Sequence, residues 1–229
     1  MTNSGKTLLI DADDTLWENN IYFERVIASV QEILGRFEVQ PGVFRAALND
    51  AERDHIVTNG YGTVNFTRSL ERTFERFLPP WADHSLATRV RDMALEILNQ
   101  PIEVIDGVPE TLAYLSRRHT LYLVTKGDAD EQGRKIEASR LRHFFDGVEI
   151  LAEKNASVFR ELVTRYSWNT ESTWMIGNSP RSDVNPAISA GLNAVYIPHR
   201  HTWVLEHEEP VRHPRVTEIK SFADLRAHF

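Results

Sequence analysis

The chain has 229 residues, enough for one large domain or a core with a smaller companion, and its 41% apolar and 26% charged content is ordinary for a soluble globular protein. A net charge of −7 argues against a general nucleic-acid binder, which would carry a basic face. With no cysteine, disulfides and thiolate metal sites are excluded, which suits a reducing cytoplasm, and no stretch approaches a membrane-spanning length.

The start, MTNSGKTLLI, has too short an apolar run for a secretion signal. Gly5-Lys6-Thr7 imitates the end of a P-loop, but the earlier glycine is missing and a strand follows instead of a helix. Asn65-Phe66-Thr67 and Asn155-Ala156-Ser157 match the glycosylation pattern, which is idle in a protein that is not secreted. The run Leu8-Leu9-Ile10 reads as a buried strand that stops at Asp11, with Asp13, Asp14 and Thr15 close behind. Carboxylates at the carboxyl end of a buried strand stand where open α/β sheets place their sites. Crowding Asp11 and Asp13 costs energy unless a cation or a shared proton offsets it.

From residue 20 to residue 100 the pattern is helical. Phe23, Val26, Ile27, Val30, Ile33, Leu34 and Phe37 recur at three- and four-residue spacing, and Pro41 opens a second helix. A loop at residues 59–62, a third helix over 63–78, a Pro79-Pro80 break and a fourth helix over 82–98 complete a small bundle. After Pro101 the pattern alternates: helix 109–117, strand 120–125, helix 129–141, strand 148–151, helix 156–166, strand 173–176, helix 183–190 and strand 194–197. Such alternation predicts a doubly wound parallel sheet, and the 7–10 strand must join it to be buried. The expected organisation is an α/β core of residues 1–19 and 101–229 with an inserted helical domain of residues 20–100.

Three later stretches offer chemistry. Thr125 ends a predicted strand and precedes Lys126, Gly127 and Asp128, a hydroxyl with free N–H groups suited to a phosphate. Lys154 stands at a helix start, where it opposes the helix dipole and needs another reason to be there. Gly177, Asn178 and Asp183 follow a strand, and Asp183 could equally be a helix cap. His199, His201 and His207 lie in HRHTWVLEH, which reads as a surface or site-edge loop in preference to a metal cluster.

Taken together, these positions resemble the haloacid dehalogenase superfamily of phosphohydrolases: D-x-D-x-T at Asp11, Asp13 and Thr15, the strand-end Thr125, the lysine at Lys154, and G-[DN]-x-x-x-x-D at Gly177, Asn178 and Asp183. The motifs come in the family's order, and the helical insertion sits where the family's C1-type cap sits. The resemblance implies a Rossmann-like core and Mg²⁺-dependent hydrolysis of a small phosphorylated metabolite. Asp11 would be the nucleophile and Asp13 the acid and base. Asp11, Asp13 (through its carbonyl), Asp183 and Asn178 would surround Mg²⁺, while Thr125, Lys126 and Lys154 would hold the phosphate. Asn178 stands where Asp is more usual, and Asn155 where Pro often follows the lysine. Trp17, Glu18, Asn20, Tyr22 and Phe23 read as core more readily than as substrate pocket. A dehalogenase, a phosphomutase and a non-catalytic binding protein are the alternatives, and neither nucleic acid nor membrane is expected as a partner.

Overall fold

The computed structural model describes residues 5–229. The chain divides into two compact units, one made of the N-terminal segment to Glu18 with Ile102–Phe229, the other of Asn19–Pro101. The first unit is a six-stranded sheet in the order β3-β2-β1-β4-β5-β6, with every neighbouring pair parallel. Its strands are β1 (Thr7–Ile10), β2 (Thr120–Lys126), β3 (Gly147–Leu151), β4 (Thr173–Gly177), β5 (Asn193–Tyr196) and β6 (Val216–Glu218).

The helices, in chain order, are α1 (Asn20–Gly35), α2 (Pro41–Asn59), α3 (Thr63–Phe77), α4 (Ser85–Leu95), α5 (Val108–Leu115), α6 (Ala129–Ser139), α7 (Ala156–Tyr166), α8 (Asn185–Ser189) and α9 (Leu225–His228). Of the expected elements, the 183–190 helix differs most. It opens as a π-type turn over Pro180–Val184 and becomes α-helical only at Asn185. Ser179 C=O accepts both the Asp183 and Val184 N–H groups, which widens the turn by one residue. β6 and α9 lie beyond any element expected from the sequence.

β1 explains why the sheet is covered on both sides. Leu8 and Ile10 pack with α5, α6 and α9, through Leu112, Ile136 and Leu225. Leu9 points the opposite way and packs with Phe159 and Leu162 of α7 and Ala187 of α8. All three side chains are fully buried, as the uninterrupted apolar run requires of a central parallel strand. The strand order reverses at β1 and β4, so the carboxyl ends of these two strands flank the sheet's switch point.

The helical unit closes on its own core. Ile27, Val30 and Leu34 of α1, Phe44 and Leu48 of α2, Phe66, Leu70 and Phe74 of α3, and Val90 of α4 form one cluster. Tyr22 Oη donates to Pro101 C=O at 3.2 Å, so this unit begins and ends at one place. In the α/β unit, Glu18 N–H donates to Glu103 C=O at 2.9 Å, and Trp17 bridges Val104. Among the described residues no helix is long and apolar enough to cross a membrane.

Candidate active site

β1 hands its backbone directly to the site. Asp11 N–H still donates to Ile176 C=O of β4 at 2.9 Å, and the chain then turns sharply, with Asp14 at φ 59°. Asp is among the residues that tolerate this left-handed conformation. The turn carries Thr15 back over the strand end, where its hydroxyl donates to Asp11 Oδ2 at 2.8 Å.

Lys154 follows β3, and its ammonium is buried between two carboxylates: 2.5 Å from Asp11 Oδ1 and 2.7 Å from Asp183 Oδ1. That answers why a lysine tolerates a helix start, a position made regular by Asn155, whose Oδ1 accepts from Ser157 and Val158 N–H. Burial disfavours the Lys154 charge, but the two carboxylates outweigh it and hold the amine above its usual range. Asp183 is raised above the usual carboxylate range, first by burial and then by Asp11, against the pull of Lys154. One ammonium faces two acids, so the cluster is short of positive charge.

Asp183 is aimed by its own turn. Its Oδ2 accepts Ser179 N–H at 3.0 Å, and a Cβ on Gly177 would overlap the Asp183 carboxylate. Gly177 is therefore required by close approach, not by its dihedral angles. Asn178 joins the cluster through Oδ1, 3.4 Å from the Thr15 hydroxyl, because its Nδ2 donates to Thr202 Oγ1 at 3.1 Å.

Asp13 lies two residues on and is held by other groups. Lys135 Nζ reaches both its oxygens at 2.7 Å, while Gln132 Nε2 and Trp17 Nε1 each donate at 2.8 Å. Burial raises its pKa, but these three donors more than offset that and leave the carboxyl below its usual range. Trp17 is fully buried, a core residue that also fixes Asp13.

Of the residues singled out from the sequence, Asp11, Thr15, Lys154, Asn178 and Asp183 meet in one hydrogen-bonded cluster. Thr125 is buried at the end of β2, and the β1–β2 register of Ile10 with Leu123 brings it to the same sheet edge. Lys126, expected at the phosphate, has its ammonium on Glu206 Oε1 at 2.6 Å and Ser182 Oγ at 2.8 Å. The side chain before it in the β2 ladder faces the opposite side, so alternation along the strand carries Lys126 away from Thr125's direction. The three loop histidines do not form one cluster: His199 and His201 are in ring contact at 5.9 Å, and His199 joins Asp14 and Glu18, whose ligand atoms lie within 4.8 Å of one another, while His207 stands apart. His207 Nε2 meets Thr202 C=O, whereas His199, held below its usual pKa by burial, stands 3.3 Å from Glu18 and 3.7 Å from Asp14.

Sequence reading missed Lys135, Gln132 and Glu206. Gln132 and Lys135 lie one turn apart on α6, so helical spacing could have paired them, but nothing local marks Glu206. The donors at Asp11, Asp183 and Asn178 are all oxygens around a deficit of positive charge, which is the chemistry a hard divalent cation takes.

Residues 6–191 match the family model described as haloacid dehalogenase-like hydrolase. The phosphoserine phosphatase of Thermus thermophilus is 26% identical over 224 residues, covering 84% of this chain and 88% of that protein. A haloacid dehalogenase-like family hydrolase from Xanthomonas campestris superposes with a TM-score of 0.85 at 28% identity, over 98% of this chain and 90% of that one. The L-2-haloacid dehalogenase of Xanthobacter autotrophicus shares the fold, with a TM-score of 0.64 at 15% identity over 97% of each chain.

Proposed function

Because this chain belongs to the haloacid dehalogenase-like hydrolase family, we propose that it is a Mg²⁺-dependent phosphomonoesterase acting on a small phosphorylated metabolite through a phosphorylated Asp11. The observation that carries this reading is the buried Asp11–Lys154–Asp183 cluster at the switch point, with Asp13 held separately beside it. The phosphatase relative supports it as well.

In this scheme an Asp11 oxygen attacks phosphorus as the bond to the leaving oxygen breaks. Asp13 delivers the proton that the leaving alkoxide needs. Water then attacks the acyl phosphate, Asp13 takes the water's proton, and Asp11 returns to its starting state with phosphate released. The donors around Asp13 favour its ionised, proton-accepting form, so the second half of the cycle is the one this geometry best prepares. Lys154 orients Asp11 through Oδ1, while Thr15 fixes the other oxygen. Thr125 stands at the edge where the phosphoryl oxygens would lie. Asp11, Asp183, Asn178 and the Asp13 carbonyl would hold Mg²⁺, whose charge would offset repulsion between an anionic nucleophile and an anionic phosphate.

A halide leaves without a proton, so the proton-donating half of Asp13's role has no counterpart in dehalogenation. Phosphate release from a panel of monoesters, with and without Mg²⁺, tests the proposal, alongside halide release from 2-haloacids. We expect Mg²⁺-dependent phosphate release that falls at least about a thousandfold in Asp11→Asn. Halide release without phosphate release, or near-normal turnover by Asp11→Asn, would overturn it.

A further inference from the structure

The connection from β5 to β6, residues 197–215, is long and carries only one short helical turn, Val204–Glu206. Loops of that length without structure of their own are usually functional or disordered. The middle stretch of this one, residues 202–211, is pinned to the turn after β4 and to the first residue of α8. Thr202 accepts from Asn178, Leu205 C=O accepts from Arg181 Nη1 at 2.8 Å, and Asn185 exchanges hydrogen bonds with Glu209 C=O and Val211 N–H.

At its centre is Glu206, an acid buried to 8% exposure. Oε1 takes the Lys126 ammonium, and Oε2 takes the Ser179 hydroxyl at 2.5 Å together with that of Ser182. Each hydroxyl is used in both directions: Ser179 Oγ accepts Ser182 N–H at 2.9 Å, and Ser182 Oγ accepts from Lys126. With both serine hydroxyl protons directed at Glu206, the network has one hydrogen-bond sense, and such satisfied buried networks are rigid. Ser179 is the residue whose N–H fixes Asp183 Oδ2.

We propose that Glu206 is a positioning residue for the metal-binding carboxylate, acting through Ser179 and Ser182 on the turn that aims Asp183. The assignment rests on the Mg²⁺-dependent phosphatase reading.

The test is Mg²⁺ titration of the full chain by calorimetry, with the thermal midpoint recorded in the absence of metal. Glu206→Gln keeps the shape but presents an amide to groups that are already donors. It should weaken Mg²⁺ binding about tenfold. Ser179→Ala, which spares the Glu206–Lys126 pair, should weaken it several-fold in the same direction and decides the question if the first variant fails to fold. KM for substrate at saturating Mg²⁺ should stay within about twofold, because phosphate contacts are untouched. Mg²⁺ affinity equal to the wild type in folded variants, even with a lowered thermal midpoint, would assign Glu206 to stability and overturn the proposal. A wild-type chain that takes up no Mg²⁺ and releases no phosphate would overturn the phosphatase reading itself.

Discussion

Lys135 holds Asp13 by both oxygens, and at the scale of single residues its removal is the most informative substitution. In Lys135→Met the burial that raises the Asp13 pKa would lose its main opponent, so the carboxyl should titrate at higher pH. A base needed in its ionised form then becomes available later, and the acidic limb of the kcat profile should move to higher pH. An unmoved limb would show that Asp13 is not the base. Gly177→Ala tests the close approach to Asp183. The added methyl must displace either the carboxylate or the strand end, which should cost about 1–3 kcal/mol of stability and most of the activity. A variant with wild-type thermal midpoint and turnover would refute the packing argument. Asp11, Lys154 and Asp183 were legible in the sequence because each stands next to a strand end or helix start whose local chemistry it disturbs. Glu206 was not, since the serines it binds lie 24 and 27 residues away and no local pattern links them.

Among the elements, α2 carries an acid that works against its own helix. Glu52 is buried, its Oε2 has no hydrogen-bond partner, and Arg45 beside it already forms a two-pronged pair with Glu24. Burial pushes the Glu52 carboxyl up from 4.5 to about 7. Below about pH 4.5 folded and unfolded chains both hold the proton, and nothing is lost. Between about 4.5 and 7 the unfolded chain releases it first, so stability falls as pH rises, levelling off above 7 at a loss of about 3 kcal/mol. Glu52→Gln should therefore stabilise the protein at about pH 8 and change it little at about pH 4.5, as thermal midpoints at the two values would show. Equal shifts at both would mean that Glu52 does not titrate in this range. The elements themselves were read well where a periodic or continuous apolar pattern ran its full length, as in β1, α1 and α7. They were read less well where hydrogen bonding overrode pattern. The turn over Pro180–Val184 depends on one carbonyl accepting two N–H groups, and β6 is three residues long with no buried side chain to announce it.

At the scale of the whole molecule, the switch of pattern at both ends of the helical run was enough to place an insertion. Its boundaries, expected at residues 20 and 100, fall at Asn19 and Pro101. What the sequence did not reveal is that the α/β unit clamps its two chain ends together, through Glu18 N–H on Glu103 C=O and Ile105 N–H on Leu16 C=O. Replacing residues 19–101 by a few Gly and Ser residues should therefore leave a folded α/β unit with its thermal transition intact and an altered ranking of phosphomonoester substrates. A truncated chain that folds and keeps the wild-type ranking would show that the helices take no part in selection.

The clamp also bears on how the chain finds its fold. β1 is a central strand, yet its partner β2 begins more than a hundred residues later, and β4 later still. An unstructured intervening chain would have to close that whole span before β1 could pair. Once the helical unit has collapsed on its own core, its ends are adjacent, and the open span between β1 and β2 shrinks to roughly thirty residues, which by the logarithmic dependence of closure entropy on length lowers the cost by about 1 kcal/mol. On a ribosome the helical unit emerges whole before β2 does, so the order of synthesis matches the order that makes β1–β2 pairing cheap. Leu70→Ala, which empties part of the helical core, should therefore slow refolding of the sheet although it touches no strand, and stopped-flow refolding at a rate equal to the wild type would sever the link.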